Sequence, residues 1–148
     1  GLDAVRTMVN KPVLGIGEAA YHAASMVANK FSVITTLSKS VPGIENNLDR
    51  YGLAKKCGKV RATDIPVLKL EENDAETLAK IKREIAAAIQ DDNAEAIVLG
   101  CAGMADLMSR LHQEFGVPVI DGVASAVVFA EALVKLGVST SKIGAYGD

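Results

Sequence analysis

Residues 96–103 read Ala96-Ile97-Val98-Leu99-Gly100-Cys101-Ala102-Gly103. The first four are apolar, and the run stops at a glycine. A short apolar run bounded in this way is a strand buried on both faces. Beyond it Met104, Leu107, Met108, Leu111 and Phe115 recur at helical spacing, which predicts a helix from Ala102 to Phe115. A buried strand that runs straight into an amphipathic helix is the repeating unit of a parallel α/β sheet.

The alternation continues in both directions. Phe31 to Thr36 is β-branched and reads as a strand. Val13-Leu14-Gly15-Ile16 reads as a brief buried strand and Val117 to Ile120 as another. Val60 to Val67 is weaker and interrupted, because Pro66 cannot donate to a central ladder. Helices are expected from Glu18 to Asn29 and from Ile44 to Ala54, the second with Leu48 and Tyr51 on one face and a stop near Cys57-Gly58. Asn73 and Glu76 form a capping-box pattern before a helix whose inner face is Leu78, Ile81, Ile85 and Ile89. The acid and lysine run from Glu71 to Glu84 is its solvated side, and Asp91-Asp92-Asn93 is a turn. A last helix carries Ala126, Val127, Ala130, Leu133 and Val134 and ends at Gly137. The fold class is therefore α/β: a parallel sheet with helices on both faces, a four-stranded core in flavodoxin-like order, and strand 31–36 beside strand 96–100.

Composition bounds the function. The chain has 148 residues, 16 Lys+Arg, 18 Asp+Glu and a net charge of -2, and 49% of it is hydrophobic. That suits one domain, residues 1–148, with a single core. No basic stripe exists to bind nucleic acid. No apolar run approaches the roughly 18 residues of a membrane span. Two cysteines do not make a disulfide framework, so a reducing compartment, the cytoplasm, is expected.

In such sheets ligands sit beyond the carboxyl ends of the strands. The loops to inspect are Thr35-Thr36-Leu37-Ser38 and Gly100-Cys101-Ala102-Gly103. Cys101 follows a buried strand and opens a helix, where N–H groups and the helix dipole favour a thiolate. Its small neighbours leave room for a substrate and for N–H groups aimed at an oxyanion. A buried cysteine acting as a small hydrophobe is the competing reading. Cys57 lies in Lys55-Lys56-Cys57-Gly58-Lys59, whose lysines would lower its pKa. It reads as an incidental surface thiol in a loop near the amino ends of the strands. Neither cysteine has metal-ligand spacing to a partner. Gly15-Ile16-Gly17-Glu18-Ala19-Ala20 fits a loose dinucleotide fingerprint. Glu18 would meet the pyrophosphate, however, and the next strand ends in threonines rather than an acid, so a tight turn is the better reading. Glu18 remains a candidate ligand contact, or simply a favourable acid at a helix start. Thr35 and Thr36 offer hydroxyls, or ordinary β-propensity. His22 and His112 read as surface or packing histidines.

There is an internal echo. Pro12-Val13-Leu14 and Pro118-Val119-Ile120 each lead into an alanine-rich helix, with Ala20 and Ala24 answering Ala126 and Ala130. Chance and duplication both explain it. Cys101 lies 17 residues before Pro118, so the matching position before Pro12 falls about five residues upstream of Gly1.

Val98-Leu99-Gly100-Cys101-Ala102-Gly103-Met104 resembles the second cysteine motif of the hydantoin/allantoin racemases, in the aspartate/glutamate/hydantoin racemase superfamily. Pro12 to Ala20 resembles the group's "PVVGIGEA" segment, Phe31 to Thr36 its strand ending in two threonines, and Tyr51-Gly52-Leu53 with Val60-Arg61-Ala62 also fit. The resemblance covers the whole chain. It implies two similar α/β halves, each giving one cysteine to the substrate, with no metal and no pyridoxal phosphate. One cysteine removes the acidic proton beside a carbonyl and the other protonates the opposite face. Cys101 matches the second cysteine, and Gly100, Ala102, Gly103, Thr35 and Thr36 would line the site. The amino-acid racemases carry "GCTH" where this chain has Gly100-Cys101-Ala102-Gly103. That departure favours a neutral cyclic amide, a 5-substituted hydantoin or allantoin. The first cysteine is expected just upstream of Gly1, with residues 1–16 and 118–148 belonging to or bridging a second, similar domain. The resemblance also implies a homo-oligomer. A single-cysteine decarboxylase on this fold, or a non-catalytic binding or assembly module, are the other readings.

Overall fold

The buried strand residues divide alternately between two cores. On one face Phe31, Val33, Ala96 and Val98 pack with Ala20, Tyr21, Ala24 and Leu48. On the other Ile34, Ile97, Leu99 and Val119 pack with Ile81, Ile85, Met104 and Leu111. This period-two alternation, with both faces apolar, is what a doubly covered parallel sheet requires. The computed structural model describes residues 1–70 and 75–147. Its strands are β1 (Phe31–Thr35), β2 (Cys57–Ala62), β3 (Ala96–Leu99) and β4 (Val119–Asp121), all parallel in the order β2-β1-β3-β4. β1 lies beside β3, as the sequence predicts.

The helices are α1 (Leu2–Met8), α2 (Ile16–Val27), α3 (Val41–Arg50), α4 (Val67–Leu70), α5 (Ala75–Asp91), α6 (Met108–Phe115) and α7 (Gly122–Lys135). α5 buries Thr77, Ile81, Ile85 and Ala88, and Leu78 and Ile89 flank them. The cap expected at Asn73 lies outside the described residues. Among the described residues no helix is long and apolar enough to cross a membrane.

Several expected elements differ. Val13 to Ile16 is not a strand: residues 12–15 are extended but unpaired, and Ile16 opens α2. An extended segment becomes a strand only through a ladder. Here the Val13 carbonyl is taken by Arg6, whose Nε and Nη2 donate to it at 3.1 and 2.9 Å. The segment at 60–67 begins earlier, at Cys57, and ends at Ala62. Asp64 turns the chain away with φ 52, and its carboxylate accepts from Ser38 N and Oγ at 2.9 and 2.8 Å. The stretch 102–115 is a 3-10 helix (Ala102–Leu107) followed by α6. α3 stops at Arg50, where Gly52 takes φ 73. α7 packs on α2, with Ala126, Ala130 and Leu133 half-buried, whereas Val127 and Val134 stand exposed.

The two terminal segments lie against each other. Thr140 bonds the carbonyls of Asn10 and Lys11, and Lys142 Nζ donates to the carbonyls of Arg6 and Thr7 at the end of α1.

Candidate active site

β3 and β4 end side by side, with Leu99 in register with Asp121. Gly100 prolongs the ladder by one bond, its N–H donating to Ile34 O at 2.8 Å. A Cβ on Gly100 would stand 2.9 Å from Val33 Cγ1 and 3.2 Å from Ile34 O, so a side chain has no room there. Cys101 follows in extended backbone (φ -139), half-buried, as the N-cap of the 3-10 helix. A six-residue 3-10 helix thus stands where the sequence predicts an α-helix.

Cys101 opens onto a narrow cleft of about 30 Å³. Its walls are Gly100, Cys101 and Ala102, the start of α2 (Ile16, Gly17) with Tyr21, and the β4–α7 junction at Asp121, Gly122 and Val123. Gly15, Cys101 and Asp121 are the N-caps of three helical segments that converge here. The first N–H groups of a helix have no partner within it, and the helix start carries partial positive charge. These helix starts therefore suit an oxyanion placed against them, such as an enolate oxygen.

Two lining residues are not evident from the sequence reading. Tyr21 is buried on Phe31, ring centroids 6.4 Å apart, and burial pushes its pKa up to about 12. Its hydroxyl is a neutral donor at pH 7. A Cβ on Gly17 would stand 3.0 Å from that oxygen, so the glycine makes room for it. Asp121 is 4% exposed and caps α7, Oδ2 accepting from Ala124 N at 2.7 Å. An aspartate closing a strand and preceding a helix is a cap signal that marks this position in the sequence.

The structure gathers some predicted residues and not others. Gly100, Cys101 and Ala102 line the cleft. Gly103 lies beside the thiol, where an added Cβ would be 3.8 Å from Cys101 Sγ and 3.2 Å from Leu70 Cδ1. Thr35 and Thr36 are buried and are not among the lining residues. Thr35 lies behind Gly100, and its carbonyl accepts from Thr63 N at 3.0 Å. Glu18 is held elsewhere: its Oε2 meets Arg6 Nη2 at 2.8 Å and caps α2 at Gly15 N, 3.3 Å away. It lines a separate groove between α2 and α7, about 390 Å³, with Val13, Leu14 and Phe129. His22 and His112 are occupied by the carbonyls of Glu18 and Val117.

Cys57 is corrected. It is the half-buried first residue of β2, and burial pushes its thiol up to about 11. Lys55 and Lys59 are exposed, so water screens their charge, and Lys56 donates to Ser25 O. Cys57 lies at the amino end of its strand and Cys101 beyond the carboxyl end of β3, at opposite ends of a parallel sheet. Among the described residues no group of three or more His, Cys, Asp or Glu is placed to hold a metal ion.

Residues 1–130 match the Asp/Glu/Hydantoin racemase family. The chain belongs to this family. It is 51% identical over 146 residues to a hydantoin racemase of Rhizobium meliloti, covering 99% of this chain and 61% of that protein. A hydantoin racemase of a Pseudomonas species is 44% identical over 146 residues, with 99% and 59% covered. Among solved structures, allantoin racemase from Klebsiella pneumoniae superposes with a TM-score of 0.95 at 44% identity, over 99% of this chain and 60% of that one. Allantoin racemase from Pseudomonas fluorescens gives 0.96 at 46% identity, over 99% and 63%. The chain thus spans about 60% of the length of these racemase-family relatives.

Proposed function

We propose that this chain carries one catalytic half of a cofactor-independent racemase of 5-substituted hydantoin-type rings, allantoin foremost. The observation that carries the reading is a half-buried thiol, Cys101, in a cleft where three helical N-termini converge. The Cys101 thiolate takes the proton from the ring carbon beside the carbonyl. The bonding pair moves into the carbonyl to give an enolate, which the surrounding N–H groups stabilise. A second thiol on the opposite face returns a proton to carbon. No oxidant or reductant is needed. The first cysteine implied by the family resemblance fills this second role, because Cys57 lies at the other end of the sheet. A 30 Å³ cleft admits the reacting edge of a ring rather than the whole of it. The remainder of the site is assigned to the part of the relatives' length that this chain does not span.

Thiol chemistry of this kind suits a reducing compartment such as the cytoplasm. The exposed Val123, Val127, Val128 and Val134 on α7 suit association of subunits. Polarimetry on the full-length protein with allantoin and 5-benzylhydantoin tests the reading. Optical rotation should decay toward zero with one or both; constant rotation with both rejects it.

A further inference from the structure

Asp121 has a carboxylate oxygen that the fold leaves without a role. Oδ2 is fixed by Ala124 N–H, but Oδ1 is buried with no hydrogen-bond partner among the described residues. A buried oxygen in that state is costly unless a ligand completes it. The residue lines the Cys101 cleft, and its Cα pairs with Leu99, two residues before Cys101.

An ionised carboxylate only accepts hydrogen bonds. It cannot hold an enolate oxygen, and it repels a thiolate. The other polar groups of the cleft, the N–H groups opening α2 and α7 and the Tyr21 hydroxyl, are donors suited to a substrate oxygen. Asp121 is their complement. A cyclic amide presents both kinds of group side by side, a carbonyl and the N–H next to it. We propose that Asp121 Oδ1 accepts a ring N–H of the substrate, so that Asp121 selects rings bearing that N–H over N-alkylated rings and lactones. This rests on the racemase reading above. The bond would orient the ring with its acidic C–H toward Cys101 Sγ.

Asp121→Asn tests it in the full-length protein. Asparagine caps a helix about as well as aspartate, while its amide replaces the free acceptor with a donor. The KM for a 5-substituted hydantoin should rise about tenfold or more, with a smaller change in kcat. For the wild type, methylation at one of the two ring nitrogens should raise KM comparably; in the variant that penalty should shrink to about twofold. An unchanged KM, or an undiminished methyl penalty, overturns the proposal. A lower thermal midpoint with KM unaltered also overturns it, because Oδ1 then has a structural partner. Should Asp121→Asn fail to fold, Asp121→Ser keeps a capping oxygen without the reach, and the same comparisons apply. If the wild type racemises neither ring, the racemase reading falls, and calorimetric titration of wild type and variant with hydantoin still decides Asp121. Binding lost in the variant sustains the role; equal binding, or none to either protein, ends it.

Discussion

Gly122 stands so close to Ile16 that a Cβ on it would lie 2.7 Å from the Ile16 carbonyl oxygen. The obstacle is backbone, which cannot swing aside. Gly122 opens α7 and Ile16 opens α2, so this contact brings two helix N-termini to one cleft. Gly122→Ala must part the helices. Overpacking of this kind costs about 1–3 kcal/mol, read as a lower urea midpoint. An unaltered midpoint would show that the two helices do not meet so closely.

The two glycines flanking Cys101 should respond differently. Gly100→Ala meets Val33 Cγ1 at 2.9 Å and the Ile34 carbonyl at 3.2 Å, inside the sheet. It should destabilise by about 2 kcal/mol. Gly103→Ala meets side chains alone: the end of Leu70 at 3.2 Å, and Val67 Cγ1 and Cys101 Sγ at an ordinary 3.7 and 3.8 Å. It should keep the wild-type midpoint within about 0.5 kcal/mol while slowing turnover by crowding the thiol. Denaturant titration of both variants, with rate measurements on Gly103→Ala, checks the contrast. Equal stability losses would contradict it.

The sheet is legible because β1 and β3 are short, mostly apolar runs buried on both faces and bounded by turns. Pro12 to Ile16 carries the same kind of residues but pairs with no strand, and its Val13 carbonyl goes to Arg6. Apolar content shows that a segment wants burial; whether it joins a ladder depends on a neighbour that local sequence does not name. Cys101 is readable for the same reason as β3: strand, glycine, cysteine, small residues. Asp121 and Tyr21 reach the cleft only by tertiary packing. The lysines around Cys57 mislead because sequence proximity says nothing of burial, and burial governs that thiol.

The thiols should separate by labelling rate. Burial raises the Cys57 pKa to about 11, so at pH 7.5 almost none of it is thiolate, and its labelling should accelerate steadily as pH rises toward that value. Cys101 borders the cleft and its helix starts. Iodoacetamide at pH 7.5 followed by peptide mass mapping should modify Cys101 faster than Cys57 by about tenfold or more. Comparable slow labelling of both would remove the case for an activated thiolate at Cys101. If the proposed racemase reading holds, Cys101→Ser in the full-length protein abolishes racemisation with folding intact, which circular dichroism and polarimetry read together.

Acid stability should depend on Asp92. Arg61 Nε and Nη2 donate to its carboxylate at 2.7 and 2.8 Å, and Ser32 Oγ donates at 3.0 Å. Glu84 reaches Arg61 at 3.4 Å, so β1, β2 and α5 are tied together at one point. The hydrogen bond from Arg61 holds the Asp92 carboxyl below its usual 3.8 despite the opposing effect of burial. The folded value is thus the lower one. The stabilisation is present in full above the unfolded value, about 4, and is lost as pH falls through the folded value. Asp92→Asn should lower stability at pH 7 by about 1–2 kcal/mol, the order of the charge-assisted hydrogen bonds it weakens in this half-buried pair. It should also flatten the decline of the thermal midpoint below pH 4 relative to wild type. Parallel acid limbs in the two proteins would assign the acid sensitivity to other carboxylates.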